Sequence, residues 1–594
     1  MSKENFKKVI IDFTETEDCT LTPDNEVAEI KVSGVVSIIN PSEKNRIWNV
    51  KLKLDNIEGT SISENELNVG EVDVKSQWSK NYNVEAEYPL LKVQEIIDTA
   101  PQIKSSVPHT NLAYGITTNV IFTIKLTNVS DAHITDIQVL KSLPAAFGQP
   151  EIEKPTAGKV TFHPKNREII WKDFELYPNG DVELKFKVEI TPEKGEPYSG
   201  GPLTVTYVAE SKTRSSLTPM LLAETSAYVG GSEEEDPRQP NRWICVFDFN
   251  NDSDYPLRVN RATVMQVFSD GKKDVLIEEY PNTVVNPGET WEKEYSIESP
   301  EPPILERYVD YSVEFDIHRK VIGHIEKQPK PLSVAKVDAE LRFMPPEVDA
   351  YTKTPTTAIL TITNTGSALL DEISSIVDLP RDFKPPAEPD VSMSKGDAPI
   401  QNVQVTVVPS DEDPTKPHTI TITASDLIST IGGVQPGEGV VCEFPVISWS
   451  PRPMVDYITT YKIKANTSPP IEPTVFEGES VKIGIRYVRR RLSVFKTVQP
   501  GKNPGEYIIP IKFVNNGEVA VENVTLSDFI PPGYEVVSWE PTDLEPNVEK
   551  TEEGATISWT FKRIEKGNQI LLKYVIKGEG PYVRREPKYV TTGG

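Results

Sequence analysis

Residues 120–144 read VIFTIKLTNVSDAHITDIQVLKSLP. Phe122, Ile124 and Leu126 alternate with Thr123, Lys125 and Thr127, a period of two that puts one face of a strand into a core and the other in water. The run stops at Asn128, a second alternating run follows, and Pro144 closes it, having no N–H to give to a ladder. The pattern returns as AILTITNTGSALLDEISSIVDLP, with Asn364 and Pro380, and as YIIPIKFVNNGEVAVENVTLSDFIP, with Asn515 and Pro531. In all three the proline lies 16 residues beyond the asparagine, which marks an internal repeat. Its physical form is a β-hairpin. Asn followed by Gly or Ser is turn chemistry, because Asn tolerates left-handed backbone and bonds its own chain.

Working outward, the first and last copies continue alike. Each has an Ile-x-Trp strand, with Trp171 or Trp559 as an inter-sheet plug, then a turn glycine, Gly180 or Gly567, then an alternating strand. The middle copy has HTITITASDL and VQPGEGVVCEFPV instead, so its loops are longer. Residues 28–97 and 241–335 repeat the scheme more loosely: strand, Asn turn, strand, Gly turn, Trp-containing strand. The expected fold is all-β: tandem immunoglobulin-like β-sandwich modules in an elongated multidomain chain. The expected modules are 1–100, 101–229, 241–335, 336–487 and 488–594, with the acidic stretch GGSEEEDPRQP (230–240) as a flexible linker. YVRRRL (487–492) opens the last module and YVRREP (582–587) recurs near its end. These are expected to follow a module's final strand, or to announce a further module.

The last module resembles the prokaryotic conserved-repeat domain of unknown function, number eleven, whose hallmarks are an N-x-G turn, a D-x-(I/L)-P-x-G strand end and an I-x-W strand. Asn515, Gly517, Asp528, Pro531, Gly533 and Trp559 match in place. The second module matches in part, with Ser130 for the Gly; the fourth keeps Asn364, Gly366, Asp378 and Pro380 without the I-x-W. The resemblance implies an immunoglobulin-like sandwich, an archaeal or bacterial origin, and commonly a place at the cell surface. It implies no catalytic residue.

Composition narrows the function. The chain has 594 residues, too many for one core, and 51 prolines that disfavour long helices. Its net charge of −26 repels phosphate backbones and anionic lipid, so neither nucleic-acid binding nor membrane insertion is expected. Cys19, Cys245 and Cys442 stand far apart, which argues against a disulfide framework or a thiolate metal site. No apolar run is long enough for a signal peptide or a membrane span, so a cytoplasmic location is expected, with the cell surface as the alternative from the resemblance.

No P-loop, dinucleotide fingerprint, nucleophile elbow or HExxH motif is present. Three candidate sites remain. NNDSDYP clusters hard oxygens, so Asn250, Asp252 and Asp254 are candidate calcium ligands against the plainer reading of a polar turn; SDEDP (Asp411, Glu412, Asp413) is a second such cluster. Arg486, Arg489, Arg490 and Arg491 form a basic run, expected as an interdomain clamp to Glu or Asp, with Arg489, Arg490 and Arg491 as a candidate partner-docking patch. Apart from calcium no cofactor is expected. The function expected is non-enzymatic: a modular arm that scaffolds or recruits a protein partner or self-associates. The alternatives are an exported adhesin or envelope-layer component, and an enzyme with a site between modules.

Overall fold

Period-two alternation becomes strand almost everywhere in the computed structural model, which describes residues 6–487, 489 and 491–591. The helical pieces among these are the short turns Glu388–Asp390 and Leu427–Ile431, both in the long-looped fourth repeat. The all-β expectation holds. The chain divides into two units, Met1–Val334 and Ala335–Gly594.

Five asparagines organise the five sandwiches: Asn40, Asn128, Asn251, Asn364 and Asn515, each 1% exposed or less. In the last four, Nδ2 donates to the carbonyl four residues on, of Ala132, Tyr255, Ala368 or Val519, at 2.7–2.8 Å. It also donates across the sandwich to Leu176, Val285, Val434 or Ile564 at 2.8–3.1 Å. Oδ1 accepts the N–H two residues on, of Ser130, Ser253, Gly366 or Gly517. Asn40 does the same with a loop one residue longer, bonding the carbonyls of Asn45 and Val72 and the N–H of Ser42. Three residues beyond the distant carbonyl stands a residue with positive φ: Lys75, Asn179, Gly288, Gly437 or Gly567. The asparagines themselves are absent from the left-handed residues, so their role lies in the amide and not in backbone freedom. The turn before Gly180 likewise places Asn179, not the glycine, in the left-handed region.

In the first unit the sheets cross the expected module boundaries. Strands from all three expected segments share one eight-stranded sheet, in the order Lys159–His163, Glu168–Lys172, His133–Ser142, Leu203–Glu210, Phe315–Lys327, Val9–Leu21, Val27–Ile39, Gln77–Val84. Phe315–Lys327, from the end of the third segment, runs parallel to Val9–Leu21 and antiparallel to Leu203–Glu210. Thr218–Glu224 leaves the second segment to pair with Ile47–Asp55 of the first. One core joins residues of the first and third repeats, among them Phe13, Leu52, Phe249 and Leu257. The stretch expected as a flexible linker is also largely strand: Ala227–Glu235 pairs in register with Arg242–Asn251. Glu234 points to solvent, while Glu233, on the same face as Val229, is half-buried and takes the Arg307 guanidinium, so the acidity here belongs to a paired hairpin.

The second unit keeps a simpler order. Its fourth-repeat sandwich sets Val337–Met344, Pro355–Asn364 and Gly439–Ser448 against a sheet containing Glu372–Leu379, His418–Ala424 and Tyr457–Asn466. Its last sandwich sets Leu492–Lys496, Glu506–Asn515, Gln569–Gly578 and Tyr534–Glu540 against Asn547–Thr551, Gly554–Ile564, Val521–Ile530 and Lys588–Thr591. Trp171 and Trp559 are buried in the second and last cores, as inter-sheet plugs should be. YVRRRL follows the final strand of its sandwich, Val481–Arg486, but YVRREP precedes one, Lys588–Thr591.

Candidate functional site

The cluster NNDSDYP is the third Asn corner. Asn250 bonds Asp248 and Thr290 within its sheet, Asp252 is exposed, and Asp254 accepts from Ser42 at 3.0 Å while its N–H bonds Asn45. The three candidate calcium ligands therefore have different partners. Among the described residues no group of three or more His, Cys, Asp or Glu is placed to hold a metal. In SDEDP, Asp411 pairs with Lys416 and Asp413 accepts from Thr415, the bonding of a capped turn.

Of the arginine run, Arg490 lies outside the described residues. Arg489 and Arg491 expose their side chains and bond through backbone to the last Asn corner, Arg489 with Glu518 and Arg491 with Asn516. Arg486, the first arginine of the run, meets the acid Asp349 at 2.7 and 2.9 Å.

Sequence reading missed the buried charges. On the eight-stranded sheet, two rows of three run across adjacent strands: Glu15, Gly34, Tyr82, and Glu17, Gly323, Tyr207. In each the glycine's empty face lets the tyrosine ring lie across it, since a Cβ would come within 2.3 Å of Tyr82 or 2.1 Å of Tyr207. The hydroxyl thereby reaches the glutamate two strands away. Both carboxylates then hold the segment 214–215: Glu15 accepts the N–H of Arg214 and Ser215, and Glu17 takes the Arg214 guanidinium at 2.7 Å. Burial raises the Glu17 pKa, against the lowering effect of Tyr207 and Arg214. That of Tyr207 rises well above its usual value through burial and the neighbouring carboxylate. Nothing in the sequence joins these residues, because each row depends on strand register.

Two further buried ion pairs cross their sandwiches. Lys141 and Glu95 meet at 2.7 Å with both side chains fully buried, and Lys327 approaches Glu95 at 3.1 Å. Burial lowers the Lys141 pKa, with Glu95 opposing. In the last sandwich Lys496 lies 2.7 and 2.8 Å from the two Asp528 oxygens, again fully buried, and Tyr574 donates to Asp528 at 2.6 Å. Asp528 is the hallmark residue of the strand end. Asp378, read as its counterpart, is exposed: it stands two residues before its proline rather than three, and a shift of one residue turns a strand side chain to the opposite face.

The unpartnered surface lies elsewhere. On the outer face of the last sandwich, Phe495, Lys512 and Leu571 form a row across three strands, with Phe495 58% and Leu571 62% exposed. They line a groove of ≈ 850 Å³ with Pro510, Pro541 and Lys573. Leu492–Lys496, which carries Phe495, is the outermost strand of its sheet. Among the described residues no helix is long and apolar enough to cross a membrane.

No family model matches the chain, and no curated protein matches it. Solved structures align with low scores. The yeast delta-COP-I mu-homology domain complexed with a WxWxV peptide is 10% identical and covers 55% of this chain and 99% of its own, with a TM-score of 0.26. The C-terminal domain of a Streptococcus agalactiae AgI/II polypeptide is 7% identical over 66% of this chain and 99% of its own, TM-score 0.27. The major pilin subunit of Bacillus cereus is 9% identical over 56% and 90%, TM-score 0.22.

Proposed function

We propose that this chain is a non-enzymatic interaction protein whose sandwiches hold out surface for a protein partner, with the outer face of the last sandwich as a docking site. The observation that carries this reading is the exposed pair Phe495 and Leu571, set on either side of Lys512, beside the outermost strand of the sheet. An extended partner segment would add to the edge of Leu492–Lys496 by backbone hydrogen bonds and seat an apolar side chain between Phe495 and Leu571. Arg489 and Arg491, exposed just before that strand, suit a segment with acidic flanks. The resemblance of this module to the conserved-repeat family belongs to the same proposal, as does a calcium role for Asn250, Asp252 and Asp254.

A photo-reactive phenylalanine at position 495 or 571 of the full chain, irradiated in extract of the source cells, tests the docking site. Adducts to one protein at both positions, with the probe at 495 losing them in L571D and the probe at 571 losing them in F495D at unchanged melting temperature, are the expected result. The same adducts from position 177, where Tyr177 is 63% exposed in the first unit, would overturn it. Fractionating the same cells assigns the compartment in which the partner is met.

A further inference from the structure

The five Asn corners put all five sandwiches on one scale. Four residues before each asparagine, the strand faces its neighbour at Phe13, Glu95, Gly231, Leu341 or Lys496. Thirteen residues after the asparagine, or fourteen past Asn40 with its longer corner, stand Leu54, Lys141, Val264, Val377 and Asp528, all buried. One structural position thus holds Phe with Leu, Glu with Lys, Gly with Val, Leu with Val, and Lys with Asp. Two sandwiches place an ion pair there, and its polarity is reversed between them.

The strands that carry Glu95 and Lys496 are otherwise alike toward the core. Leu91–Asp98 begins LKVQE and Leu492–Lys496 reads LSVFK. Leu91 faces Asn128 as Leu492 faces Asn515, and Val93 and Val494 follow two residues on. Only the third inward residue differs, acid against base. Both strands are the outermost of their sheets, each laddered to one neighbouring strand and, among the described residues, touched on its outer edge by a side chain alone, Asn25 at Glu95 and Arg584 at Lys496, so each is the element most readily exchanged. Exchange among like repeats is a characteristic failure of repetitive chains.

We infer that the reversed ion pair is an address: it decides which closing strand enters which sandwich. In the wrong sandwich Glu95 would meet Asp528, or Lys496 would meet Lys141, two like charges in a dry core. A buried charge without its partner is strongly unfavourable, whereas the inward Leu and Val are accepted by either site. The neighbours reinforce the code. Lys327 adds a second positive charge around Glu95. Around Asp528 stand the Tyr574 hydroxyl and the Arg585 carbonyl, the latter accepting from Lys496 at 3.0 Å. Specificity of this kind works by rejecting the wrong partner as much as by holding the right one.

The test is a strand graft in the full chain. Residues 492–496 are replaced by LKVQE, by LKVQK, or by LKVQE together with Asp528→Lys. All three lose Phe495 alike, so the outer face is held constant and the result does not depend on the docking site proposed above. Hydrogen exchange across Glu506–Asn515 is the readout. Expected is a rise of about 100-fold or more for LKVQE, about 3 kcal/mol at 1.4 kcal/mol per tenfold. LKVQK, and LKVQE with Asp528→Lys, should stay within about tenfold of the parent chain. Native protection in LKVQE alone would overturn the inference, and so would equal loss in LKVQE and LKVQK.

Discussion

Asn515 uses its whole amide on backbone. Its two N–H bonds go to the carbonyls of Val519 and Ile564 and its oxygen takes the N–H of Gly517, and the asparagine itself is fully buried. Removing it leaves three buried polar groups unpaired, each worth roughly 1–3 kcal/mol. Asn515→Ala is expected to lower the urea stability of the last sandwich by about 3 kcal/mol or more. Asn515→Asp should be worse at neutral pH, since a carboxylate would face two carbonyls; equal or smaller loss in the Asp variant would contradict the amide orientation. Glu17 gives the pH prediction. Its folded pKa is raised from 4.5 by burial, so above that value the folded chain holds a proton the unfolded chain has released. Its contribution is present in full below 4.5 and is lost as pH rises toward the folded value. The melting temperature of the parent chain should therefore fall relative to Glu17→Gln as pH rises from about 4.5; parallel curves would refute the shift. The Asn corner is legible in sequence because Asn, Gly and Pro lie within one hairpin. The Glu–Gly–Tyr rows are not, since Glu17, Gly323 and Tyr207 meet only through registers that join distant strands.

Among elements, the closing strand shows why a core position tolerates such different chemistry. In the fourth sandwich the ion-pair position is apolar, Leu341 with Val377, and Phe444 stands where Tyr574 stands in the last, each opposite the residue six before its asparagine. The natural repeats thus contain the exchange of a buried ion pair for packed hydrophobes, a change that is often neutral or stabilising by about 1–4 kcal/mol. Lys496→Leu with Asp528→Val and Tyr574→Phe is expected to leave the last sandwich as stable as before or more so. Lys496→Leu alone should lose about 3–5 kcal/mol, because Asp528 then stays buried without its cation. Denaturant midpoints of the two variants check this, and a triple variant weaker than the single one would exclude it. Alternation reveals the strands carrying these residues, and Asp528 is visible three residues before Pro531. Its partner is not, for Lys496 reaches it across the sandwich from the other sheet, a placement that no local spacing encodes.

At the scale of the whole chain, repeat counting predicts a linear row of modules, and the first unit departs from it through long-range pairing. Phe315–Lys327 sits between Val9–Leu21 and Leu203–Glu210 and supplies Val321 and Ile325 to the core of the second sandwich. Thr218–Glu224 seals the first sandwich with Leu221 and Ala223. Neither contribution is legible, because both strands carry the ordinary alternation of their own segments and only topology sends them elsewhere. The consequence is thermodynamic. A truncation ending at residue 229 keeps every residue of the first two expected modules but removes the strand on which both halves of the eight-stranded sheet are hydrogen-bonded. It leaves Glu17 and Tyr207 facing each other across a missing glycine row, and two long strand edges unpaired in what was sheet interior. Chains 1–229 are therefore expected to lack cooperative unfolding and to aggregate, whereas 1–334 and 335–594 each melt in one cooperative transition. Calorimetry of the three truncations decides the point. A cooperative, monomeric 1–229 would mean that the first two sandwiches close without Phe315–Lys327, and that the strand is a late addition to the sheet instead of the element that holds it together.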